Sequence, residues 1–286
     1  MKNVQLQNAA EGFQDIWRGS MMIDRRVADF FQYWREHYQW PLRRTRVKTE
    51  FKIQEFAENA SKAVASGKEE RLSSTLMQIH RWKTRNQAKI TDRYARQLQK
   101  DPKRVRDLQK LLPITTDSSD AALKKALDLL RFPDCNLPVC TAQLSFLSGR
   151  VFPILDRFLA QFFSRRVHPM ILQWADYDIS HVFETVGKID FILEDDGRGQ
   201  GVPRLAVYSE PSYRKNRNLY IEQLIPQLKM LAETFQAADI TFQGSDGQPK
   251  QFTSVDLQMA IFIFGKRNPK LFKKFYKTHP IPYLRI

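Results

Sequence analysis

Residues 126–163, ALDLLRFPDCNLPVCTAQLSFLSGRVFPILDRFLAQFF, constrain this chain more than any other stretch, because they join two apolar helical runs through a short turn and then present one carboxylate, Asp156. Leu127, Leu129 and Leu130 close the first run before Phe132-Pro133-Asp134-Cys135-Asn136, where Pro133 restricts the residue before it and Asn136 tolerates a left-handed backbone. A second helix is predicted from Pro138, acceptable in a first turn, through Val139, Ala142, Leu144, Phe146 and Leu147, to a stop at Ser148-Gly149. Val151 to Leu155 is apolar with one proline, Pro153, and Asp156 then opens a third helix that buries Phe158, Leu159, Phe162 and Phe163. A carboxylate at a helix start has an ordinary role as well, since Asp caps free N–H groups and interacts favourably with the helix dipole.

With 286 residues and 42% hydrophobic content, the chain can bury a sizeable core, as a single domain spanning 1–286 or as two helical lobes, about 1–115 and 116–286. No fixed-period repeat occurs, which excludes a solenoid. The N-terminal residues lack the apolar run of a signal peptide, and no stretch approaches the roughly 18 apolar residues of a membrane span. The expected setting is the cytoplasm, with nucleoid association in a bacterial cell and no membrane. Cys135 and Cys140 are too few for an iron–sulfur cluster or a cysteine zinc site and read as buried thiols.

The net charge of +15 is unevenly placed. Residues 41–110 hold 19 Lys and Arg against 8 Asp and Glu, residues 266–286 hold 7 against none, and residues 111–265 sum to −3. Two basic blocks flanking a nearly neutral centre favour a polyanion lying against one face. In the first block Arg43, Arg44, Arg46, Lys83 and Arg85 are expected to contact phosphates; in the second, Lys273 and Lys274 interleave with Phe272, Phe275 and Tyr276. Their alternative is a solvated helix surface with the aromatic residues docked on the core.

The remaining patterning is mostly helical. Ile23, Val27, Phe30, Phe31, Trp34 and Tyr38 form a core-facing stripe, Leu72, Leu76, Ile79 and Trp82 another, with His80, Arg81, Lys83 and Arg85 on the polar sides. Two short helices should break at Asp101-Pro102, and residues 115–120 read as a loop with a helix cap. Residues 188–208 differ: Ile189, Phe191 and Leu193 alternate, DDGRGQG turns, and Leu205, Val207 and Tyr208 resume, which predicts a β-hairpin. Glu194, Asp195 and Asp196 could hold a divalent ion only with ligands from elsewhere; the plainer reading is an exposed turn without metal. An amphipathic helix follows over YIEQLIPQLKMLAETF despite Pro226, then a turn at QGSDGQPK, then a buried helix ending at Gly265.

The order helix, hairpin, helix, apolar-Pro loop, Asp, carried by FPDCN and FPILD, resembles the signature of the helix-hairpin-helix DNA glycosylase superfamily, particularly its 8-oxoguanine glycosylase-like branch. The resemblance covers about forty residues. It implies a mainly α fold, a helix-hairpin-helix glycosylase-like body with a small β-hairpin insertion, and a role in base excision repair without a cofactor. Asp156 would then stabilise the oxocarbenium-like sugar of a flipped nucleotide, and Asn136 and Arg157 would lie against the nucleic acid, duplex DNA in this reading. The hairpin lacks the family's glycines, and the position of the family's Schiff-base lysine falls near Leu137 or Pro138, with no lysine between Lys125 and Lys188. The expectation is therefore a monofunctional glycosylase that hydrolyses an N-glycosidic bond; the alternatives are a non-catalytic nucleic-acid-binding protein on the same fold and a nuclease using Glu194, Asp195 or Asp196.

Overall fold

The computed structural model describes residues 24–38, 49–84, 87–133, 135–164, 182, 185–195, 203–206, 209–244 and 246–267. The described chain is mainly helical. Its elements are α1 (Arg25–His37), α2 (Thr49–Ser66), α3 (Glu69–Lys83), α4 (Ala88–Lys100), α5 (Pro102–Leu111), α6 (Asp120–Leu130), α7 (Leu137–Leu147) and α8 (Arg157–Phe163). After them come β1 (Leu193–Asp195), β2 (Pro203–Leu205), α9 (Glu210–Leu219), a π-helical turn (Tyr220–Leu224), α10 (Ile225–Ala237), β3 (Thr241–Gln243), β4 (Pro249–Gln251) and α11 (Ser254–Arg267).

Local chemistry sets several of these boundaries. Asp101 accepts the Arg104 N–H at 3.1 Å while Pro102 enters the first turn of α5, so the dipeptide ends α4 and starts its successor. Ser119 caps α6 through the Ala122 N–H at 3.3 Å. Gly149 ends α7 at φ +68°, and the Gly149 and Arg150 N–H groups return to the carbonyls of Phe146 and Ser145.

Helix α7 is the centre. Every residue from Val139 to Leu147 is buried, which fits a segment apolar on all sides, and it packs against α2, α3 and α6. Its buried polar residues are partly satisfied: Gln143 Nε2 donates to the Tyr94 hydroxyl of α4 at 2.8 Å, while Gln143 Oε1 and Ser145 Oγ have no hydrogen-bond partner among the described residues. One continuous core runs from Val27 to Phe264. Helix α1 packs on α11 and β3, so residues 25–37 join the C-terminal elements across the sequence. There the buried Arg35 Nε donates to Asp256 at 2.8 Å.

The expected hairpin near residues 188–208 is present as the antiparallel pair β1–β2, with Leu193 opposite Leu205. Buried Asn216 of α9 pins it, accepting the Ile192 N–H at 2.8 Å and donating to the carbonyls of Ile192 and Ala206 at 3.0 and 2.9 Å. A second antiparallel pair, β3–β4, flanks the expected turn at residues 243–250; β4 is exposed throughout, so its sequence carries no alternation to announce it.

Other expectations are corrected. Gly265 does not stop the last helix, which continues to Arg267; it is buried where α11 crosses α8. His80 is wholly buried and stacks on Tyr94 with ring centroids 4.2 Å apart, because α4 covers the side of α3 that carries it. Asn136 is extended rather than left-handed, with φ −78° and ψ 169°, because it caps α7. Among the described residues no helix is long and apolar enough to cross a membrane.

Candidate functional site

Asp156 is the N-cap of α8, in an extended backbone conformation that turns its side chain back over the first turn. Its carboxylate accepts the N–H groups of Phe158 at 2.8 Å and Leu159 at 3.0 Å. Both bonds land on Oδ1, and no hydrogen bond from the described residues reaches Oδ2. The capping role therefore occupies one oxygen of a carboxylate that is only 6% exposed. Burial pushes this carboxyl above the usual carboxylate range, opposed by the charge of Lys83, by the Leu159 and Phe158 N–H bonds and by Arg157.

The charge of Lys83, at the end of α3 and far away in sequence, acts on this carboxylate without a hydrogen bond or close ion pair between them. Burial draws its ammonium below the usual lysine range, and the charge of Asp156 opposes that shift. The half-buried side chain also lies beside the indole of Trp82, with Nζ 5.7 Å from the ring centroid. Trp82 in turn packs edge-on against Phe146 of α7 and Phe56 of α2. The lysine thus stands on a fixed aromatic base, with its charge coupled to Asp156.

The loop that delivers Asp156 is held from two sides. Thr141 Oγ1 of α7 accepts the Leu155 N–H at 3.1 Å, and the Tyr220 hydroxyl of the π turn donates to the Pro153 carbonyl at 2.7 Å. Thr141 is five residues beyond Asn136, about 7.5 Å along a helix axis.

Of the residues expected to form the site, Lys83 and Arg157 both act electrostatically on Asp156. Arg157 is exposed, its guanidinium carbon 4.5 Å from the Phe158 ring centroid. Lys83 ends α3, which packs against α7, and its charge is coupled to that of Asp156. Asn136 is half-buried and caps α7, its Oδ1 accepting the Val139 N–H at 3.3 Å. Arg43, Arg44, Arg46, Arg85, Lys273 and Lys274 lie outside the described residues, as does the Asp196 position.

The hairpin thiols are buried, and burial pushes Cys140 up to about 12, so it stays protonated near neutral pH. Among the described residues no group of three or more His, Cys, Asp or Glu is arranged to hold a metal ion. Sequence reasoning missed the coupling of Lys83 to Asp156, and no spacing rule could find it, since the two residues share neither helix nor loop. Tyr220 and Thr141 were missed too; the one available signal was Pro226, a proline inside an otherwise regular amphipathic helix. No protein-family model, curated protein or solved structure matches this chain.

Proposed function

We propose that this protein binds duplex DNA and hydrolyses the N-glycosidic bond of a damaged or modified base, with Asp156 as the carboxylate that opposes the positive charge developing on the sugar. The observation that carries this reading is the division of labour within Asp156: Oδ1 closes the helix, Oδ2 takes no hydrogen bond from the described residues, and a cation from another element stabilises the anion. In a nearly dry site a fixed anion acts strongly on a developing cation, because little solvent screens it. The base must leave the stack to reach it, and water is the nucleophile. The basic blocks at residues 41–110 and 266–286 supply phosphate neutralisation, so affinity should fall steeply as salt rises.

Lys83 also favours a second reading, in which hydrolysis is followed by strand cleavage. A lysine whose ammonium is destabilised by burial offers more neutral amine near neutral pH, and that amine could add to the C1′ aldehyde of an abasic site with loss of water, forming an imine. The lysine missing from the hairpin would then be replaced by one arriving from α3.

The decisive comparison is base release from a panel of damaged duplexes, with thermal unfolding measured alongside, for the wild type and Asp156→Asn. An asparagine retains an Oδ1 acceptor, so the cap persists while the charge disappears. Loss of release with the fold and DNA binding intact supports the proposal. Equal release by both proteins reduces Asp156 to a cap, and a wild type that binds duplex but releases nothing establishes the non-catalytic binding alternative. Borohydride trapping on an abasic duplex, abolished by Lys83→Met, separates the strand-cleaving reading from simple hydrolysis.

A further inference from the structure

The π-helical turn between α9 and α10 has a local cause and a distant contact. Pro226 has no N–H to offer the Glu222 carbonyl, so a regular α-helix loses a bond there. The chain widens instead: the Ile225 N–H reaches back to the Tyr220 carbonyl, five residues away, and the helix resumes as α10. Such single wide turns inside helices are frequent at functional sites. Here Tyr220, Ile221 and Leu224 are all buried, and the Tyr220 hydroxyl is spent on the Pro153 carbonyl at 2.7 Å.

Pro153 lies three residues before Asp156, in a loop that no sheet or helix contains. Its partners are few and well placed. Tyr220 holds the carbonyl of Pro153 from one side, and Thr141 holds the N–H of Leu155 from the other. Both Pro153 and Leu155 are buried, so a carbonyl released from Tyr220 would have no ready access to water. The next backbone groups after this clamp are those of Asp156 itself and the α8 amides that bind its Oδ1.

We propose that Tyr220 is a positioning residue that clamps the loop through Pro153 and thereby sets the place and solvation of the Asp156 carboxylate. Burial also pushes the Tyr220 hydroxyl well up from its ordinary range, so it remains a proton donor at every working pH. The consequence in catalysis rests on the hydrolase reading above; the geometric consequence does not.

The chain supplies its own control. Tyr213, on α9, is equally buried, and its hydroxyl also donates to a buried main-chain carbonyl, that of Leu127, at 3.1 Å. Leu127 belongs to α6 and not to the Asp156 loop. Tyr220→Phe and Tyr213→Phe therefore each remove a buried hydroxyl bonded to a main-chain carbonyl, Tyr213 lying also beside Cys140 and under Arg131, so loss of a buried tyrosine hydroxyl as such would appear in both. The measurement is the titration midpoint of the Asp156 carboxyl carbon by NMR, identified by its absence in Asp156→Asn.

Because burial is the largest cause of the raised midpoint, loosening the loop should admit water and lower the midpoint in Tyr220→Phe. Tyr213→Phe should leave the midpoint in place. No shift in Tyr220→Phe, or the same shift in both variants, overturns the proposal. If the wild type releases base, kcat should fall in Tyr220→Phe with KM nearly unchanged, and an unchanged kcat also overturns it. The titration needs no substrate, so a chain that shows the Tyr220-dependent shift but never releases base refutes the hydrolase while supporting the clamp.

Discussion

Gly265→Ala tests whether α11 truly crosses α8 at the closeness that fixes the site. A Cβ built on Gly265 would lie 2.5 Å from Phe158 Cδ1 and 2.8 Å from its Cβ and Cγ, well inside any van der Waals contact. The helix itself prefers alanine there by about 1 kcal/mol. Against that gain, forcing a methyl group into packed surroundings costs about 1–3 kcal/mol. Phe158 cannot easily retreat, since its ring also packs edge-on with Phe262 at 5.5 Å and its N–H is bound to Asp156. The net expectation is a loss of up to about 2 kcal/mol, and each kcal/mol lowers the melting temperature by about 2–4 °C in a domain of 150–250 residues, somewhat less in a longer one. Denaturant unfolding and thermal melting of Gly265→Ala read it directly. The cost should shrink in a Phe158→Ala background, because the obstructing ring is gone and the pair is coupled. A stabilisation of about 1 kcal/mol would show that helix propensity alone operates and that the close crossing is wrong.

Asp256→Ala should destabilise the chain by about 3–5 kcal/mol in urea unfolding, because it removes the carboxylate that the buried Arg35 is bonded to and also the two bonds that Thr253 donates to Oδ2 at the start of α11; a loss under about 1 kcal/mol would mean the pair behaves as a surface ion pair. The pH dependence of stability should carry the mark of Asp156. Its folded-state midpoint is raised, so between the unfolded value of about 3.9 and that raised midpoint the folded chain holds more protons than the unfolded one, and the contribution to stability falls as pH rises. Asp156→Asn removes this slope, so the variant should gain on the wild type as pH rises through the window; a constant difference between the two unfolding curves would refute the assigned shift.

Much of the fold was written locally. The break at Asp101-Pro102, the cap at Ser119, the stop at Gly149 and the start of α8 at Asp156 each depend on groups within a few residues of one another, where proline geometry and cap hydrogen bonds act without help from the rest of the chain. Apolar periodicity likewise announced the buried faces of α1 and α3, because burying those stripes is the main driving force available to a chain of this composition, and the density of apolar residues announced α7. Where that periodicity was weak or misread, tertiary packing decided: β4 exists only because β3 offers it a partner, and Gly265 lies within a helix because Phe158 needs the space of its missing side chain. His80 looked polar along α3 and is buried because α4 folds over it.

The candidate site divides along the same line. The sequence by itself determined that Asp156 would begin a helix after a hairpin and a proline loop, since each of those features is set by neighbouring residues. Only the tertiary structure decided that Lys83 would lend its charge to that carboxylate, that Thr141 and Tyr220 would hold the loop before it, and that Oδ1 alone would serve the helix. The physical reason is that hydrogen bonds and Coulomb interactions depend on distance in space, and helices of very different sequence position are brought within that distance only when their apolar faces share one core.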